Sequence, residues 1–131
     1  MDYTNETFSK VLLHVEYVQM LDEIVAIIKR NGVTSIELLF GSGWGNVYKD
    51  WKQFPVSVDS ISEEIKIAED LKVGAFGDDD LFIFCPSFNV EILFCHESDV
   101  HVRYKESNRL VLDILQLWKD KNLLHFERQL K

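Results

Sequence analysis

The chain has 131 residues, enough for one domain with a sizeable core and no need of disulfide staples. Hydrophobic residues at 47% exclude a disordered chain, and no apolar run approaches the roughly 18 residues that a membrane span needs. The formal net charge of −8 argues against a nucleic-acid binder, whose phosphate contacts need clustered Lys and Arg.

The N-terminal residues Met1 to Glu6 lack the basic patch and apolar stretch of a secretory signal, and the expectation is a cytoplasmic protein. Cys85 and Cys95 are then read as buried thiols. The stretch from Val11 to Val18 fits two periods. Leu13, Val15 and Tyr17 alternate as in a strand, whereas Phe8, Val11, Leu12 and Val15 fit a helical stripe. The reading adopted is a helix from near Thr4. From Met20 to Arg30 the pattern is clear: Leu21, Ile24, Val25 and Ile28 make one apolar stripe, Lys29 and Arg30 suit the dipole, and Gly32 suits the C′ position.

Val33 to Phe40 reads as a strand with Ile36, Leu38 and Phe40 on one face. Gly41-Ser42-Gly43-Trp44-Gly45-Asn46 follows as an irregular loop, without the lysine or the following helix of a phosphate-binding loop. Trp44 and Trp51 are candidate apolar anchors for a partner, or core residues. A short strand is expected around Phe54 to Val58. Ser60 and Glu63 make a capping-box pattern opening a helix with the stripe Ile61, Ile65, Ala68 and Leu71, ended by Gly74.

Leu81 to Cys85 is apolar on both faces, as in a central strand stopped by Pro86. Val90 to Phe94 forms a second strand, and Val100 to Tyr104 a third, placed nearer an edge. Ser107 or Asn108 caps a last helix with Leu110, Val111, Ile114, Leu117 and Trp118 inward. The expected fold class is α+β: one domain over residues 1–131, an antiparallel β-sheet (meander) packed against about three helices.

Charge is unevenly placed. Residues 59–102 hold 11 acids against 2 bases, more than the whole net charge. Such a segment steers the approach of a basic partner, or simply keeps the domain soluble. Asp78, Asp79 and Asp80 form its sharpest feature, and Glu97 and Asp99 add to it. One Asp can cap a turn while the others face a partner's Lys or Arg; the D-x-D-x-D-G spacing of a calcium loop is missing. Cys95-His96-Glu97-Ser98-Asp99-Val100-His101 offers thiol, imidazole and carboxylate groups, but not the i, i+4 histidines of H-E-x-x-H. The alternative to a binding protein is therefore a small metal-dependent enzyme using the segment Cys95 to His101. A nucleophilic Cys95 paired with His96 is disfavoured, since strand neighbours point apart.

The run Val73-Gly74-Ala75-Phe76-Gly77-Asp78-Asp79-Asp80-Leu81-Phe82-Ile83, with Val90-Glu91-Ile92-Leu93-Phe94-Cys95-His96-Glu97-Ser98-Asp99-Val100-His101-Val102, resembles a class of bacterial immunity protein. These are cytosolic antidotes of polymorphic-toxin and contact-dependent growth-inhibition systems. The likeness is closest over residues 73–104, and the order of elements over 20–120 is compatible with it. It implies an immunity-type domain without catalytic residues or cofactor, which binds a cognate toxin domain, often a basic nuclease, and neutralises it. No toxin-contact residue is carried over from the resemblance. The partner-binding candidates read from this chain's own charge and aromatics are Asp78, Asp79, Asp80, Glu97, Asp99, Trp44 and Trp51.

Overall fold

The computed structural model describes residues 3–41 and 52–130. Seven strands form one antiparallel sheet: β1 (Asn5–Ser9), β2 (Ser35–Gly41), β3 (Phe54–Ser57), β4 (Asp80–Cys85), β5 (Val90–Phe94), β6 (Val100–Tyr104) and β7 (Leu124–Gln129). Their spatial order is β3-β2-β4-β5-β6-β1-β7. Three helices, α1 (His14–Arg30), α2 (Ile61–Asp70) and α3 (Arg109–Asp120), complete the described fold, which is α+β as expected.

Strand alternation sorts the sheet into two faces. Ile36, Leu38, Phe40, Leu81, Ile83, Cys85, Val90, Ile92, Phe94, Val100 and Val102 share one face, and all join a single core with the apolar stripes of the helices. Ile24 and Ile28 of α1, Ile61 and Ala68 of α2, and Ile114 and Trp118 of α3 meet there. Gly74 lies against this core at a place where a Cβ would come within 3.0 Å of the Phe40 ring. Any side chain at this position would have to push that ring aside.

The opposite face carries a different row. Glu37, Phe84, Glu91, Arg103, Glu6 and Arg128 are register partners across β2, β4, β5, β6, β1 and β7. Glu6 is fully buried. Its Oε2 accepts from Arg103 Nε at 2.6 Å and its Oε1 from Arg128 Nε at 2.9 Å, while Arg103 also donates to Glu91 at 3.0 Å.

Several sequence expectations change. Asn5–Ser9 is a strand between β6 and β7, and α1 begins only at His14. The supposed stripe through Val11 and Val15 is not a buried face, because both side chains are exposed. Glu16 instead supplies the start of α1, accepting from the Leu13 N–H at 2.9 Å. β6 is an interior strand flanked by β5 and β1, not an edge. Ser60 makes no side-chain cap, and α2 ends before Gly74, where Lys72 takes a left-handed φ of 60° and Leu71 is exposed. β7 was not foreseen, since His125 to Gln129 offers a single large apolar side chain, Phe126.

The caps of the other helices hold. Gly32 takes φ 82° beyond α1. Asn108 Oδ1 accepts from Val111 N at 3.0 Å, and its amide donates to the Phe88 and Glu106 carbonyls at 3.2 Å each. Asn108→Ala is expected to cost about 1–2 kcal/mol, read as a lower urea midpoint at unchanged slope.

Candidate functional site

The register gathers four chain segments at one end of the sheet. Gly41 pairs with Asp80, Leu81 with Phe94, and Phe94 with Val100. The turn before β4 and the turn between β5 and β6 therefore lie side by side, and β2 ends beside them at Gly41. Trp44 and Trp51 lie outside the described residues.

The first turn is held from within. The N–H groups of Asp78 and Asp79 both donate to the Ala75 carbonyl, at 3.1 and 2.9 Å, and Asp79 Oδ2 accepts from Ala75 N at 2.9 Å. Asp79 is thus the turn-capping carboxylate. Glu69 of α2 accepts from Phe76 N at 3.0 Å and ties this loop to the helix. Asp80 Oδ1 accepts from His96 N at 2.9 Å and lies 2.8 Å from His96 Nδ1. The hydrogen bond and charge of Asp80 push the exposed imidazole of His96 above its ordinary pKa.

The second turn runs from Cys95 to Asp99. Cys95 N donates to the Asp99 carbonyl at 2.9 Å, Ser98 N to the Cys95 carbonyl at 3.0 Å, and Ser98 adopts φ 71°. The buried Tyr17 hydroxyl donates to the Cys95 carbonyl at 3.1 Å, and Leu12 N donates to the Ser98 carbonyl at 2.8 Å. Burial pushes the Cys95 thiol up to about 11. Asp99 Oδ2 lies 3.0 Å from His101 Nε2.

Cys95 and His96 do not point apart as strand neighbours would. The chain has already left β5, and Cys95 Sγ lies 3.8 Å from His96 Nδ1. That same nitrogen faces Asp80, so the ring cannot relay a proton between thiol and carboxylate. A raised thiol pKa opposes a nucleophilic role as well. His96 and His101 fall into separate groups, Asp80 with Cys95 and His96, and Cys95 with Asp99 and His101.

Of the sequence-read acids, Asp79, Asp80 and Asp99 are engaged internally, whereas Asp78 and Glu97 are exposed on adjoining turns. Of the other acids of residues 59–102, Glu69 joins the first turn through Phe76, whereas two more lie away from it. Asp59 pairs with Lys29 at 2.6 Å, and Glu91 is buried on the far face of the sheet. Position along the chain thus overstated how closely the carboxylates gather.

An apolar component went unread in the sequence. Val11 is 72% exposed and Leu13 70%, with Val15 and Val18 also open to solvent. They border the two turns through the Leu12–Ser98 hydrogen bond and through His14, which stands 3.6 Å from where a Gly77 Cβ would lie. Val11 and Leu13 precede α1, and Val15 sits off its Leu21–Ile24–Ile28 stripe. Comparison with known protein families, with curated proteins and with solved structures returns no match.

Proposed function

We propose that the chain is a cytoplasmic binding protein that neutralises a cationic partner, an immunity protein against a cognate toxin domain of basic nuclease character. The observation that carries this reading is the Asp80–His96 contact at 2.8 Å. It sets the two acidic turns together, with exposed Asp78 and Glu97 beside exposed Val11, Leu13 and Val15. A surface that joins apolar area to unengaged carboxylates suits a partner presenting Lys or Arg around an apolar contact. A nuclease must draw in phosphates, so its surface has the complementary sign. The family resemblance over residues 73–104 falls on these same turns.

The test assays the product of the neighbouring upstream gene for toxicity and for neutralisation by this chain, followed by stopped-flow association at several salt concentrations. Asp78→Lys with Glu97→Lys is expected to slow association about 10-fold or more and to flatten its salt dependence. Val11→Ser with Leu13→Ser is expected to speed dissociation instead. A wild-type chain that leaves the toxin active refutes the function. An unchanged salt slope in the double reversal refutes this surface.

A further inference from the structure

On the sheet face away from the helices, Cys95, Asp99 and His101 bring a sulfur, a carboxylate oxygen and an imidazole nitrogen within 4.8 Å of one another. The group is sheltered: Cys95 is 5% exposed, and the side chains of His101 and Asp99 are 14% and 19% exposed. Two of its polar atoms, Asp99 Oδ1 and His101 Nδ1, are buried without a hydrogen-bond partner. Burying unmatched polar atoms is costly, and such groups call for an explanation.

The surroundings of His101 supply one. Its Nδ1 lies 3.4 Å from Glu6 Oε2, close enough for charge attraction though not aligned as a hydrogen bond. Arg103 and Arg128 pin that carboxylate in place. The ring's one aligned hydrogen bond is at the other nitrogen, Nε2, which lies 3.0 Å from Asp99 Oδ2. A metal ion on Nε2 would take the place of the proton shared with Asp99 and leave the ring proton on Nδ1, facing Glu6. A carboxylate behind the distal nitrogen is the usual outer support of a metal-ligating histidine. Sulfur, nitrogen and oxygen donors together suit a borderline divalent ion of the zinc class, with solvent able to fill a fourth position. The neighbouring group is less suited, because His96 is exposed.

We infer that Cys95 Sγ, Asp99 and His101 Nε2 bind one divalent metal ion of the zinc class. On binding, the sulfur–hydrogen bond is replaced by a sulfur–metal bond and the thiol proton passes to solvent; no electron is transferred. The ion clips the β5–β6 turn to the start of β6. This inference is independent of the partner reading, since it concerns the sheltered side of the turn.

The experiment titrates the dialysed full chain with Co²⁺ and follows the sulfur-to-cobalt charge-transfer band in the near ultraviolet. Zn²⁺ is then added as competitor. The expected result is one band saturating at one ion per chain and bleached by Zn²⁺. Cys95→Ser should abolish the band, and His101→Gln should weaken cobalt affinity at least about 10-fold, with folding checked by circular dichroism. His96→Ala should leave it unchanged. Absence of the band in the wild-type chain overturns the inference without recourse to any variant. A band that survives His101→Gln undiminished, or is lost in His96→Ala, also overturns it by placing the ion elsewhere.

Discussion

Trp118→Ala is expected to destabilise the protein by about 3–5 kcal/mol, the range for truncating a fully enclosed large aromatic. Trp118 is 0% exposed and sits on the face of α3 that joins Leu110, Val111 and Ile114 to the core. Its carbonyl also receives the Leu123 N–H at 2.7 Å, where the chain leaves α3 for β7. Truncation opens a cavity at the point where helix and last strand are joined. For a chain of this size the melting temperature should fall by roughly 10–15 °C. Trp118→Phe separates the causes. The indole N–H has no acceptor, so removing it relieves an unmatched donor while most of the packing is kept. Its cost should stay near about 1 kcal/mol. If Trp118→Ala costs less than that, the core packing described above is wrong.

The second large effect is expected at Glu6. Glu6→Ala should cost about 3 kcal/mol, the low end for breaking a buried ion pair, because half-exposed Arg128 can recover solvent. Its influence on acid stability has a definite sign. Burial alone would push the Glu6 carboxyl up, but hydrogen bonds and charge from Arg103 and Arg128 outweigh that and hold it below its ordinary value. A carboxylate depressed in the folded state adds stability above its unfolded pKa, and that stability is lost as pH falls through the depressed value. Glu91 behaves oppositely: burial raises it despite Arg103, so its ionisation opposes folding at neutral pH and acid relieves the conflict. Urea midpoints measured across the acid range should therefore show a loss in the wild type that Glu6→Gln lacks. Identical profiles would mean that the Glu6 network contributes nothing to stability.

Where both neighbours and periodicity were local, the sequence was readable. β2 and β4 announced themselves by alternation and by a run apolar on both faces, and Asn108 by its place one residue before α3. β1 did not, because Glu6 and Thr7 are polar yet buried. What encloses Glu6 comes from Arg103 and Arg128, 97 and 122 positions away. No window of a few residues contains that information. The same reason governs the site. A triple Asp after Gly77 marks a turn, but the bond from Asp80 to His96 joins positions 16 apart through the β4–β5 pairing. Likewise, Cys95 and His96 looked divergent only on the assumption that β5 continued through them.

The place of β1 in the strand order also bears on how the molecule is made. Its two flanking strands are synthesised last, and Ser9 meets Val100 across 91 intervening steps of the chain. As the polypeptide emerges from the ribosome, Asn5–Ser9 must wait as a bare ribbon while the β2–β4 layer can already form. A greasy segment left open that long would invite pairing with other nascent chains. Asn-Glu-Thr-Phe-Ser is polar enough to wait in water, and its burial is completed only when the final strand arrives.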